Sequence, residues 1–126
     1  MKVLDDAVAE MDFDFLSSGK HTMSVEGMCK VLGNGQENVV FLDVRTDKEM
    51  NYLVLPFAKH IPLHELPARM NELPKDKMVV AYCSSVFRSA VAYTLLRAHG
   101  FDQVKGMAAS MEDIIKAFKP GPLGKM

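Results

Sequence analysis

The chain has 126 residues, 48 % of them apolar, and its 15 basic and 16 acidic residues leave a net charge of −1. That length can bury one real core, and the balanced charge marks neither a nucleic-acid face nor a membrane-surface patch. No apolar run reaches a bilayer span, and Asp5 and Asp6 fall where a signal peptide would need its apolar stretch, so a soluble, cytoplasmic protein is expected.

From the N-terminus, Val3, Leu4, Ala7, Val8 and Met11 recur at helical spacing and predict an amphipathic helix. The acidic, aromatic run Asp12–Phe15 follows, then Ser17-Ser18-Gly19-Lys20 as a linker, so residues 1–20 read as an N-terminal extension. It is expected to be an arm folded onto its own domain, with a docking arm for a partner as the alternative. A domain over residues 21–119 would begin with a helix capped by Ser24, with Val25, Met28, Cys29 and Leu32 on its buried face. Gly33-Asn34-Gly35 would end that helix.

Val39–Val44 is a nearly continuous apolar, β-branched run, as expected of a strand covered on both faces. Thr46 can cap a short helix starting at Asp47, with Glu49 as its capping-box partner. An irregular stretch containing Pro56 and Pro62 leads to a helix around Pro67–Leu73. Met78–Tyr82 is a second buried strand running into Cys83, and Arg88–His99 is a helix stopped by Gly100. Phe101–Lys105 predicts a third strand and Ala109–Phe118 a last helix; residues 120–126 form a Pro/Gly-rich, flexible tail. Ten methionines, at mostly apolar positions, read as core filling. The alternation predicts an α/β fold with a central, mostly parallel sheet flanked by helices.

The segment that carries chemistry is the strand ending at Cys83, the loop Ser84-Ser85-Val86-Phe87-Arg88-Ser89, and the helix that follows. In parallel α/β sheets, ligands sit at the carboxyl ends of strands, where backbone N–H groups and the helix dipole favour an anion. An ordinary cysteine has a pKa of about 8.5, and only its thiolate is the nucleophile. Donors, dipole and guanidinium all favour that thiolate, and Arg88 can fork onto an oxyanion. The competing expectation is a buried structural cysteine with Arg88 as a surface charge. Cys29, on a helix face, is expected to be a packed, inert thiol rather than a redox partner. His60 and His64 are tempting acid/base groups but are expected to be structural or solvated. Two distant cysteines and scattered histidines give neither a disulfide framework nor a metal site, and no cofactor is implied.

Loop length separates two known architectures. Cysteine-dependent phosphatases resemble C-x5-R, whereas rhodanese domains resemble C-x4-R-[ST], and here four residues separate Cys83 from Arg88 before Ser89. The resemblance to the rhodanese family continues outside the loop. Phe41-Leu42-Asp43-Val44-Arg45 is similar to its LDVR segment, and Ala58 with His60-Ile61-Pro62-Leu63-His64-Glu65-Leu66 to its alanine-to-IPLxEL stretch. Leu73–Lys77, Val80–Cys83 and Gly100–Val104 follow in the family's order, covering roughly Ser24–Phe118.

The resemblance implies a single-domain sulfurtransferase of the thiosulfate:cyanide type, in which Cys83 takes a sulfane sulfur as a persulfide. The acceptor would be a thiol, cyanide or a sulfur-relay protein. The backbone of Ser84–Ser89 would hold the charged sulfur, Arg88 would orient the donor or stabilise the loop, and Asp43 and Arg45 would support it by pairing with each other or with backbone. The alternatives are a non-catalytic binding or redox-sensing module and, less favoured, a phosphatase or arsenate reductase. Val86 stands where many family loops carry glycine; a positive φ there would cost about 1–2 kcal/mol. Phe87 would form an apolar lip, and Arg88 as the loop's lone charge predicts modest attraction for a dianion such as thiosulfate. Val54 and Ser110 also depart from the family pattern, at positions usually held by histidine and tryptophan.

Overall fold

The computed structural model describes residues 2–33, 38–51, 55, 57–83, 86–107 and 113–114. Its centre is built by the two apolar runs that read as doubly covered strands. These are β2 (Val39–Asp43) and β4 (Met78–Tyr82), paired in parallel with Val39 opposite Met78 and Asp43 opposite Tyr82. Three shorter strands extend the sheet: β1 (Thr22–Met23), β3 (Ala58–His60) and β5 (Val104–Met107). The order is β1-β5-β4-β2-β3 and every pairing is parallel. The chain is therefore an α/β protein with a five-stranded parallel sheet covered by helices.

Alternation along the strands sorts the core into two layers. Leu42, Val79, Ala81, Cys83 and Val104 pack with Ala92, Tyr93 and Leu96 of α6 (Val86–Ala98). Phe41, Val80, Tyr82 and Met107 pack with Met28 of α3 (Val25–Gly33) on the opposite face. Both faces of β4 are buried, so its side chains form one apolar run rather than an alternating pattern.

Local signals set several boundaries. Ser24 caps α3, its Oγ accepting from Gly27 N at 3.1 Å. Thr46 and Glu49 form the expected capping box of α4 (Asp47–Met50). Gly100, at φ +89°, ends α6 in a Schellman arrangement: Phe101 N donates to Leu96 O and Gly100 N to Arg97 O. No helix among the described residues is long and apolar enough to cross a membrane.

Other boundaries depart from the sequence reading. The presumed linker is partly helical: Ser17 and Ser18 complete α2 (Phe13–Ser18), which Asp12 caps and Gly19, at φ +70°, ends. β1 and β3 have two and three residues and no distinctive period; sheet neighbours define them. The third predicted strand is shifted, because Gly106 and Met107 pair with β1 and belong to β5 while Phe101 does not. The helix predicted around Pro67–Leu73 is α5 (Leu66–Arg69) continued by a 3₁₀ turn, Met70–Glu72. α6 begins two residues early, at Val86. Cys29 is only half-buried; Met28 is the fully buried residue of that helix.

The N-terminal residues lie against the sheet domain. α1 (Lys2–Ala9) packs on α6, Ala7 is buried, and Glu10 receives Arg97 bidentately at 2.9 and 3.0 Å. Of the predicted last helix, Asp113 and Ile114 are helical and Ile114 is buried; its other residues, with Asn34, Gly35, Val54, Pro56 and 120–126, lie outside the described residues.

Candidate active site

Because β2, β3 and β4 run parallel and end in register, their carboxyl ends bring distant residues to one edge. Asp43 stands opposite both His60 and Tyr82, and Cys83 follows directly. This edge is where a parallel sheet collects its ligands. Three further hydrogen bonds stitch the chain past the strand ends: Val44 N to Tyr82 O, Ile61 N to Asp43 O and Leu63 N to Val44 O.

Cys83 is fully buried on the α6 side of the sheet and not in a disulfide. Only residues 84 and 85 separate it from the first residue of α6, a helix of 13 residues whose positive end therefore opens beside the thiol. Val86 is that first helical residue, so its backbone is right-handed and the feared cost of a positive φ does not arise. Ser84 and Ser85, and with them the expected hydroxyls and amides, lie outside the described residues. Phe87 is 73 % exposed, an apolar lip beside the loop. Ser89 is buried on the first turn of α6, its carbonyl 3.6 Å from where a Cβ on Gly106 would stand.

Asp43 and Arg45 are both buried and bind each other. Arg45 Nη2 lies 2.7 Å from Asp43 Oδ2, Nε contacts both carboxylate oxygens at 3.0 Å, and Arg45 N donates to Oδ1 at 2.9 Å. Desolvation opposes the Arg45 charge, but the hydrogen bonds and charge of Asp43 outweigh it and hold the guanidinium pKa above its ordinary value. His60 completes this knot, its Nε2 being 2.6 Å from Arg45 O. That contact gives His60 a structural place, while His64 is largely exposed beside Glu65. The Tyr82 hydroxyl is buried and has no hydrogen-bond partner among the described residues; burial, then the charge of Asp43, pushes its pKa far above the usual phenol range.

Arg88 is where the sequence reading needs its main addition. Rather than standing open as an oxyanion fork, it is held bidentately by Glu49, Nη1 to Oε1 at 2.5 Å and Nη2 to Oε2 at 2.8 Å. The Glu49 hydrogen bonds raise its pKa most, against desolvation, with smaller contributions from the nearby Cys83 and Asp43 charges. Glu49 is thus a site residue that the sequence identified only as a helix cap. One signal pointed to it: the capping box turns its carboxylate back toward Thr46, immediately after Arg45 at the strand edge. Oε1 accepts from Thr46 N and Thr46 Oγ1, both at 3.0 Å, as well as from Arg88. Chemically, the edge presents an enclosed thiol, a helix N-terminus and a guanidinium paired with a carboxylate.

Comparison with known proteins agrees with this geometry. Residues 31–117 match the rhodanese-like domain, and the chain belongs to that family. Over 68 residues it is 41 % identical to a sulfurtransferase of Allochromatium vinosum, covering 54 % of this chain and 64 % of that one, a little under two thirds of the relative's length. A rhodanese-like domain protein of Staphylococcus aureus, 26 % identical, shares the fold at a TM-score of 0.68 over 74 % of this chain and 89 % of that one. A Rhodopseudomonas palustris protein described as a possible tyrosine phosphatase, 21 % identical, has a TM-score of 0.72 over 95 % and 89 % of the two chains. At that identity the likeness is one of fold.

Proposed function

We propose that this chain is a sulfurtransferase that carries sulfane sulfur as a persulfide on Cys83. The observation that carries the reading is the position of this thiol between the carboxyl end of β4 and the N-terminus of α6. Membership of a family whose relatives include a named sulfurtransferase supports it. In the first step the Cys83 thiolate attacks the outer sulfur of a donor such as thiosulfate. A Cys83 S–S bond forms, the donor's S–S bond breaks, and sulfite leaves with the electron pair. In the second, a thiolate or cyanide attacks the outer sulfur, leaving as a persulfide or thiocyanate and returning Cys83 as thiolate. The acceptor can equally be the cysteine of a sulfur-relay protein.

Roles follow from position. Cys83 is the nucleophile, and backbone amides of the Ser84–Ser89 loop stabilise the charged sulfur. Arg88, in a partly open pair with Glu49, supplies a positive charge near the thiol, and Asp43 with Arg45 braces the strand edge.

The burial also favours a second reading, a non-catalytic module that binds a partner or senses oxidants through Cys83, since the thiol is enclosed and Arg88 already has a carboxylate. A phosphatase is disfavoured by the four-residue spacing and by the same engagement of Arg88. Incubation with thiosulfate, a persulfide or mercaptopyruvate, followed by mass spectrometry, separates the three. One added sulfur on the native chain, absent from Cys83→Ser, with thiocyanate formed from cyanide, is the expected result. A folded chain that no donor loads would establish the module instead, and Cys83-dependent phosphate release from an aryl phosphate would establish the phosphatase.

A further inference from the structure

A groove of about 530 Å³ follows α6 from its first turn. Phe87, Ala90, Val91, Thr94 and Leu95, spaced three and four residues apart, line it with one helical face about 12 Å long, eight steps of 1.5 Å. Leu4 of α1 completes the lining, with Leu63 and Pro67 from the segment after β3. Thr94 is the one polar side chain among these residues, and its Oγ1 donates to Ala90 O at 3.0 Å within the helix. The groove therefore offers a ligand apolar surface and little hydrogen bonding.

Two ties place one end of this groove at the carboxyl edge of the sheet. Phe87 is the second residue of α6, four residues after Cys83. Leu63 N donates to Val44 O, and Val44 N to the carbonyl of Tyr82, the residue before Cys83. Leu63 and Leu95 also pack against the core layer that contains Cys83, so groove and thiol share one side of the sheet. Phe87 is 73 % exposed, and Val91 and Leu4 lie open at 41 % and 40 %. Exposed apolar side chains are ordinary singly; gathered in one groove that starts at a reactive edge, they make a binding surface. Leu4 lies outside the matched residues 31–117, so the family domain alone does not complete it.

An acceptor of the Cys83 sulfur has to come to this edge, and beside it the groove rewards apolar surface. The volume is that of a small-molecule cleft, and an extended peptide would find few partners there for its backbone N–H and C=O groups. We propose that the acceptor is a small thiol bearing an aliphatic chain, the chain lying in the groove against Val91 and Leu4. The proposal rests on the reading of Cys83 as a sulfur carrier. A persulfide sets its outer sulfur about 2 Å beyond Sγ, so the acceptor need not reach the buried Sγ itself. The acceptor thiolate attacks that outer sulfur and a new S–S bond forms. The bond to Cys83 breaks, and its electron pair stays on Cys83 as thiolate.

The test discharges the full chain, its Cys83 loaded by thiosulfate or a persulfide and checked by mass spectrometry, with ethanethiol and with 1-pentanethiol. The same two thiols acting on cysteine persulfide supply the intrinsic ratio. At equal, subsaturating concentration 1-pentanethiol should discharge the chain about ten-fold faster, the gain from three methylenes each about half withdrawn from water. Val91→Ser and Leu4→Ser, at exposed positions where circular dichroism should show the fold intact, should each cut that preference about three-fold and leave the ethanethiol rate unchanged. Failure of every donor to load Cys83 overturns the sulfur-carrier reading and this proposal with it. Loading followed by equal discharge rates overturns the proposal alone, the outcome expected if a partner protein covers the groove instead. A preference that survives both substitutions also overturns it.

Discussion

Two arginines at the same edge of the sheet are each clamped by a carboxylate, and they differ in almost everything else. Arg45 reaches Asp43 two residues away and both side chains are buried, at 4 % and 1 % exposure. Arg88 reaches Glu49 across 39 residues, and both remain partly open, at 26 % and 31 %. A buried pair is costly to separate because one charge is stranded in a medium that cannot solvate it. A half-exposed pair can exchange its partner for water or an incoming anion at little cost. The same chemistry thus makes a brace in one place and an adjustable charge beside a thiol in the other.

The largest effect should come from breaking the brace. Asp43→Ala leaves Arg45 buried and unpaired and should cost about 3–5 kcal/mol, read from urea unfolding followed by circular dichroism. A cost below about 1 kcal/mol would mean that Arg45 finds solvent and that the two pairs are alike. Arg88→Met should instead change stability by under about 1 kcal/mol. Its effect should fall on the loading of Cys83 by thiosulfate, slowed about ten-fold, the rate equivalent of roughly 1.4 kcal/mol. A large loss of stability with unchanged loading would reverse the roles assigned to the two arginines.

Glu49→Gln sharpens the contrast further. Glutamine can still accept from Thr46, but it no longer neutralises Arg88. Loading by anionic thiosulfate should accelerate about two- to five-fold at low ionic strength and return to the native rate in high salt. Stopped quench with mass analysis would show this, and a slower variant would mean that the Glu49 clamp positions Arg88 rather than attenuating it.

The smallest effect belongs to a surface network of Lys59, Arg69 and Glu72. Glu72 is held at about 2, below the ordinary 4.5, first by hydrogen bonds from Arg69 and then from Lys59. Its folded pKa is the lower one, so the stability it contributes is present above pH 4.5 and is lost as the pH falls from there toward 2. Native chain and Glu72→Gln should therefore differ slightly in denaturant midpoint at neutral pH and converge in acid, with the difference shrinking in high salt. A gap that persists at pH 2 would show that the effect of the substitution is not ionic.

Much of this edge was legible in the sequence because its causes are local. The Thr46–Glu49 capping box, the Gly100 helix stop and the pairing of Asp43 with Arg45 all act within a few residues, and residue type alone specifies them. The doubly buried runs Val39–Val44 and Met78–Tyr82 announced parallel strands for the same reason. The start of α6 at Val86 was less legible, since Ser84-Ser85-Val86-Phe87 has weak helix preference. β1 and β3 carry no period of their own and exist because a neighbouring edge offers hydrogen bonds.

By itself the sequence determined the α/β alternation, the placement of Cys83 at a strand end and the four-residue step to Arg88, all consequences of short-range order and burial pattern. Only the tertiary structure decided that Arg88 meets Glu49 and that Cys83 is enclosed. Each of these depends on which residues the parallel crossovers bring together, and residue order does not reveal that until the strands are in register.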